Sequence, residues 1–210
     1  MKIFLINDNL AQENCYIVLR DNEVTIIDPG FNYEKIEKIF TDSKYVLKNI
    51  FLTHGHIDHT GCIDQLIKNH KDVKIYINEL DVELLFNDTL NCSKIMGMSK
   101  VYPKNMNLNF IKNKEEIDGF IFHHTPGHTK GSMVIELNDL LFTGDTLFKN
   151  SIGRTDLPSG SMVELKESLE YIRDNFSKKT IILPGHMGKS TLKDEIRNNP
   201  YLKKKRGLFG

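Results

Sequence analysis

The sequence has no long apolar run, no excess of one charge and few cysteines, and each shortage removes a class of protein. No stretch approaches the length of a membrane-spanning helix, so no membrane role is expected. Met1-Lys2-Ile3-Phe4-Leu5 runs straight into Asn7-Asp8-Asn9, without the zones of a secretory signal. Lysine plus arginine and aspartate plus glutamate number 28 each, which leaves no net field to gather nucleic acid or an anionic membrane. The basic run Lys203-Lys204-Lys205-Arg206 is short and terminal and reads as a solvated tail. Cys15, Cys62 and Cys92 are an odd, widely spaced set, which argues against a disulfide framework and for a cytoplasmic location. Cys62 reads as a plain buried thiol. No internal repeat or Pro/Gly/Ser-rich linker divides the 210 residues, so a single domain with a sizeable core is expected. The sequence specifies no oligomeric state.

What is present alternates between short apolar runs and helical patterns. Strands are predicted over Lys2 to Ile6, Cys15 to Leu19, Val24 to Ile27, Ile50 to Leu52 and Val73 to Ile77. Leu108 to Ile111, Phe120 to His124, Met133 to Leu137, Leu140 to Thr143 and Thr180 to Leu183 continue the series. Helical spacing covers Tyr33 to Phe40, a segment ending near Asn69, Glu79 to Phe86, Ser161 to Asn175 and Thr191 to Asn198. Residues 87–107 are Asn-rich and carry Met96, Gly97 and Met98; a long loop covering one side of a cleft is expected there. The pattern describes an α/β domain whose sheets are flanked by helices.

The chemistry concentrates in Thr53-His54-Gly55-His56-Ile57-Asp58-His59, directly after an apolar strand. A lone histidine would more simply bind nothing. Residues two apart in extended backbone point the same way, so His54 and His56 can converge, while Asp58 and His59 reach a neighbouring point as the chain turns toward a helix. Three further polar residues follow a hydrophobic run and a glycine: His128 after Pro126-Gly127, Asp145 after Gly144, and His186 after Pro184-Gly185. Imidazole nitrogen and carboxylate oxygen suit zinc and other borderline first-row metals. Counting ligands assigns His54, His56 and His128 to one metal and Asp58, His59 and His186 to a second, with Asp145 bridging. A structural zinc needs only four ligands, so seven point to an open catalytic site with room for a bridging hydroxide. Two divalent ions are expected, zinc first, with iron or manganese as alternatives. Asp28 either supports a liganding imidazole or caps its own turn. His123 and His124 alternate across a strand and are not expected to be ligands, and His70 reads as a charge partner at a helix C-terminus.

With these residues the chain resembles the metallo-β-lactamase superfamily, whose His-x-His-x-Asp-His pattern stands here as His54 to His59. The resemblance runs from Asn14-Cys15-Tyr16 and Ile27-Asp28-Pro29-Gly30 to Asn199-Pro200-Tyr201-Leu202. It implies the four-layer αββα sandwich, with the metals at one rim between the sheets. Thr125-Pro126-Gly127-His128-Thr129-Lys130-Gly131-Ser132 and Gly144-Asp145-Thr146-Leu147-Phe148 are similar to the glyoxalase II group. Ile152-Gly153-Arg154-Thr155-Asp156-Leu157-Pro158 is similar to its short bacterial members and to persulfide dioxygenases. By this resemblance Arg154 is a substrate contact. Full-length glyoxalase II adds a C-terminal helical region that forms much of the glutathione site. This chain is expected to be a single domain over residues 1–210 without that region.

The resulting expectation is a metal-dependent hydrolase acting on a small-molecule thioester such as an S-acylated glutathione. Asp58 and Asp145 are its catalytic carboxylates, because they are ligands that also orient the hydroxide. The alternative is a persulfide dioxygenase with one iron.

Overall fold

The computed structural model describes residues 1–7, 10–41 and 45–203, with backbone alone at position 41. Asp8 and Asn9, and most of the basic run (Lys204, Lys205 and Arg206), lie outside the described residues. Strands β1 (Lys2–Asn7), β2 (Asn14–Arg20) and β3 (Glu23–Ile27) form an antiparallel meander. Helix α1 (Tyr33–Thr41) crosses to β4 (Val46–Phe51), parallel to β3. Helices α2 (Ile57–Thr60) and α3 (Ile63–Asn69) lead to β5 (Lys74–Asn78). A 3-10 turn (Glu79–Asp81), helix α4 (Val82–Leu85) and an irregular segment lead to β6 (Leu108–Ile111). These strands make one sheet in the order β1-β2-β3-β4-β5-β6.

The later half repeats the logic with a second sheet. Strands β7 (Glu115–Ile117), β8 (Phe120–His124), β9 (Met133–Leu137) and β10 (Leu140–Gly144) run antiparallel. A small hairpin follows, β11 (Leu147–Phe148) with β12 (Ser151–Ile152). Helix α5 (Met162–Asn175) returns the chain to β13 (Ile181–Pro184), parallel to β10, and β14 (Ser190–Thr191) precedes α6 (Leu192–Asn198). The order is β14-β13-β10-β9-β8-β7.

Strand alternation explains why the layers stack as they do. In β2, Cys15, Ile17 and Leu19 face α1, α2 and α3 through Ile36, Ile57 and Leu66. The intervening Tyr16 and Val18 face the second sheet and meet Phe120, Phe122 and Phe142. Beyond that sheet, Val134, Leu141 and Ile182 pack on Leu165, Leu169 and Leu192 of α5 and α6. Helices, two sheets and helices again make the expected αββα sandwich. Among the described residues no helix is long and apolar enough to cross a membrane. The three cysteines are buried and none forms a disulfide among the described residues, and burial pushes the Cys62 thiol up to about 12.

Phe51 closes the core directly beneath the histidine loop. Its ring is fully buried and lies 4.9 to 5.4 Å from those of Tyr76, Phe120 and Phe122, edge to face. Phe51→Ala is expected to destabilise the fold by about 3–5 kcal/mol, read as a lower urea midpoint. An unchanged midpoint would mean that the two sheets are not held together there.

The differences from expectation are short elements. β7, β11, β12 and β14 have two or three residues each, too few to show a period. Asp58 and His59 sit within α2 rather than in the turn before a helix. The backbone N–H of His70 caps α3, but its side chain reaches Glu37 of α1 at 2.8 Å.

Candidate metal centre

The candidate ligands gather on one rim because their loops leave strands at the same edge. β4 ends before the loop bearing His54 and His56; β8, β10 and β13 end before His128, Asp145 and His186. Parallel pairing of Gly144 with Pro184 sets Asp145 and His186 side by side. The Thr53 carbonyl accepts from the Met133 N–H at 2.8 Å and fastens the first sheet's loop to the second sheet. Carboxyl ends of strands are where α/β sheets collect ligands.

Each ring is then turned by a partner outside the cluster. Thr53 Oγ1 donates to Asp28 Oδ2 at 2.6 Å, so His54 Nδ1 at 3.1 Å donates to that hydroxyl and leaves the Nε2 lone pair inward. His59 Nδ1 lies 3.0 Å from Asp28 Oδ2, His128 Nδ1 2.8 Å from the Arg154 carbonyl, and His186 Nδ1 3.3 Å from the Gln12 carbonyl. In all four histidines an acceptor on Nδ1 fixes the tautomer that aims Nε2 at the centre. His56 is the exception and presents Nδ1, which lies 2.9 Å from His128 Nε2. Asp28 also accepts the Thr53 N–H at 2.8 Å, so it braces the loop and the His59 ring rather than its own turn.

The inward atoms have little to bind but each other. His59 Nε2 is 3.2 Å from Asp145 Oδ1 and 3.8 Å from Asp58 Oδ2. Asp145 Oδ2 is 3.5 Å from His128 Nε2 and 3.6 Å from His186 Nε2, and Asp58 Oδ2 is 3.3 Å from His186 Nε2. The Nε2 atoms of His54 and His59 and Oδ1 of Asp145 are buried without a hydrogen-bond partner. Converging lone pairs and carboxylates, with donors aimed away, fit cations and fit little else. Three overlapping groups have ligand atoms close enough to hold an ion: His54, His56, His128; His54, His59, Asp145; and Asp58, His59, His186. All seven expected ligands are thus brought together. His123 pairs instead with Tyr171 and Glu136, and His124 with the Lys130 carbonyl.

The protonation pattern divides the cluster. Burial holds His54 well below the ordinary imidazole range and pushes His56 down to about 3, so both are neutral and ready to ligate. Burial acts the same way on His59 and His186, but the carboxylates of Asp145 and Asp58 outweigh it and raise both. Burial opposes charge on Asp145 and Asp58 too, yet the facing histidines, His59 first, hold both carboxylates below their usual range. A cation must therefore displace protons from His59 and His186. Zinc binding at neutral pH is expected to release protons, and affinity is expected to rise with pH until those imidazoles are neutral. Calorimetry in buffers of different ionisation heat measures the release; none at neutral pH would contradict the pairing.

A cavity of about 430 Å³ opens over the cluster and touches His56, Asp58, His128, Asp145 and His186. A larger one, about 510 Å³ near Leu10, Phe31 and Gln65, contains none of these side chains, so chemistry rather than size selects the site. The expected long loop forms one wall through Cys92, Ile95 and Met96. It is anchored by the Asn91 carbonyl on the Ile57 N–H and by Tyr102 Oη on the Thr60 carbonyl at 2.7 Å. Arg154 is on the rim, with its guanidinium turned onto Asp156 at 2.7 and 2.6 Å.

Two buried carboxylates were not expected from sequence. Glu13 groups with Asp28 and His59 behind the cluster. Asp81 accepts from the N–H groups of Gly55 and Gly131 and from Thr129 Oγ1, joining the His54–His56 turn to the His128 turn. Neither carries a local signal, because the partners are remote in sequence.

The profile of the Metallo-beta-lactamase superfamily matches residues 8–186. Hydroxyacylglutathione hydrolase GloC of Haemophilus influenzae is 33% identical over 212 residues, covering 98% of this chain and 100% of that protein. Among solved structures, BLEG-1 B3 metallo-beta-lactamase is 29% identical with a TM-score of 0.87, covering 97% of this chain and 100% of that one. TTHA1623, solved in a di-iron-bound form, is 30% identical with a TM-score of 0.85, covering 95% and 100%.

Proposed function

This chain belongs to the metallo-β-lactamase superfamily, and from that premise we propose that it is a metal-dependent hydrolase of thioesters, S-acylated glutathione or a similar small thiol. The observation that carries the reading is Asp145, whose carboxylate faces both histidine groups at once. His54, His56 and His128 would hold one divalent cation, Asp58, His59 and His186 the other, with Asp145 shared. Two cations there would supply water activation at neutral pH and a Lewis acid for developing negative charge. In the reaction the acyl C–S bond breaks, water supplies the new C–O bond, and a carboxylate and a thiol leave. The thiolate is a good leaving group, so no dedicated acid is required. Asp58 and Asp145 stay ionised under their histidines and orient the reacting water. Glutathione as carrier is supported by the full-length similarity to GloC. Zinc is the first metal to test; the di-iron form of TTHA1623 makes iron the second.

Arg154 is the proposed contact for a carboxylate of the thiol carrier. Its pair with Asp156 is exposed and therefore weak. Asp156→Ala is expected to free the guanidinium and lower KM for S-lactoylglutathione by roughly two- to fivefold with kcat retained. Arg154→Ala is expected to raise KM; no movement in either variant removes the contact.

The deciding experiment is elemental analysis of protein purified without added metal, followed by thioester hydrolysis and by oxygen uptake with glutathione persulfide. Two metals per chain with thioester turnover supports the hydrolase. One iron with oxygen consumption and no hydrolysis would replace it with the dioxygenase, whose chemistry requires dioxygen as co-substrate.

A further inference from the structure

Resting on the hydrolase reading, we infer that the substrate feature this chain selects is an aliphatic, uncharged acyl group. The floor of the cavity is the cluster of imidazoles and carboxylates; its wall is Ile95, Met96, Phe148, Ile152, Leu157 and Met187. Apart from these, only Cys92 and Arg154 line it, and Arg154 is already assigned to a carboxylate of the carrier, not to the acyl group. A hydroxylated or charged acyl group finds few polar partners on that wall, whereas an alkyl chain is covered by it.

Three of the wall residues stand open to solvent: Ile95 is 70% exposed, Met187 54% and Met96 36%. One exposed apolar side chain means nothing. Three large ones from two separate segments, meeting around one opening, form a patch that is poorly solvated until something apolar covers it. Met187 also adopts φ +69°, a left-handed conformation that glycine or asparagine takes more readily, one residue after His186. That backbone sets a methionine on the rim where a polar turn residue would be ordinary. Small thiol carriers are charged and water-soluble, so the apolar portion of such a substrate is its acyl group.

The test uses metal-loaded protein and two series on one carrier. S-methyl-, S-butyl- and S-hexylglutathione are thioethers that cannot be hydrolysed, and their binding is measured by calorimetry. S-acetyl-, S-butyryl- and S-hexanoylglutathione are assayed for kcat/KM, with S-lactoylglutathione beside them. Affinity and kcat/KM are expected to rise roughly two- to fourfold per added methylene, and S-butyryl is expected to exceed S-lactoyl. Ile95→Ser combined with Met187→Ser is expected to flatten both series, with metal content as the check on folding. A flat series with the acetyl thioester turned over leaves the hydrolase standing and overturns the inference. A slope that survives in the double variant also overturns it. Failure of every thioester sinks the hydrolase reading, and the thioethers, which need no turnover, still decide the wall.

Discussion

Asp145→Ala is expected to lower thioester turnover by roughly a thousandfold or more and to deplete metal from both histidine groups together. The reason is position. Among the described residues its carboxylate is the one that approaches His59 Nε2 at 3.2 Å, His128 Nε2 at 3.5 Å and His186 Nε2 at 3.6 Å. Without it, the remaining centre has five imidazoles and one carboxylate, too little negative charge to hold two dications in a buried site. Asp145→Asn separates shape from charge: it keeps the volume and one oxygen, and should still lose most of the metal. His56→Ala should first deplete the group formed with His54 and His128. Metal per chain by elemental analysis and turnover of S-lactoylglutathione are the readouts. A full metal complement with undiminished turnover in Asp145→Ala would leave the proposed centre without its shared ligand.

The gathering of His128, Asp145 and His186 was legible because each leaves a mark in its own segment, an apolar run and a glycine before it. Gly185 stands before His186 because a Cβ there would lie 2.5 Å from Asp145 Oδ1 and 2.6 Å from His59 Cε1. Gly144 stands before Asp145 because its φ is +45° and a Cβ would meet Thr53 Oγ1 at 2.3 Å. Apolar run, glycine and ligand is therefore the imprint of crowding at a strand end, and crowding can be read from one segment. The αββα layering came from the family resemblance, while the strand and helix pattern alone carried as far as an α/β domain with sheets flanked by helices. What could not be read was anything made by remote partners. The burial of Asp81 and Glu13 depends on the packing of several segments. The Arg154–Asp156 pair was missed because a resemblance transfers a position and not the direction of a side chain. Two-residue strands such as β11 and β12 exist only through their mutual pairing.

Asp81→Ala is expected to cost about 3–5 kcal/mol of stability and to weaken metal binding at the His54, His56 and His128 group at least tenfold. Burial pushes this carboxyl up, yet it is retained because three donors converge on it: Gly131 N at 2.7 Å, Thr129 Oγ1 at 2.6 Å and Gly55 N at 3.1 Å. Gly55 lies between His54 and His56, and Thr129 follows His128, so one carboxylate sets the separation of two turns. No Cβ fits at Gly131, where it would meet Asp81 Oδ1 at 2.6 Å, so a glycine stands opposite the carboxylate. Alanine leaves two backbone N–H groups unsatisfied in a dry site. Asparagine keeps the oxygen toward Gly55 and Thr129 but sets an N–H₂ against the Gly131 N–H, so its loss should be intermediate. Thr129→Val removes one donor and leaves each carboxylate oxygen its backbone N–H, Gly55 on Oδ2 and Gly131 on Oδ1, so its effect should be smallest. The ordering Ala, then Asn, then Thr129→Val should hold for metal affinity as well as for melting temperature. If the three variants differ in melting temperature while binding metal equally well, Asp81 serves the fold alone and does not set the spacing of the histidines.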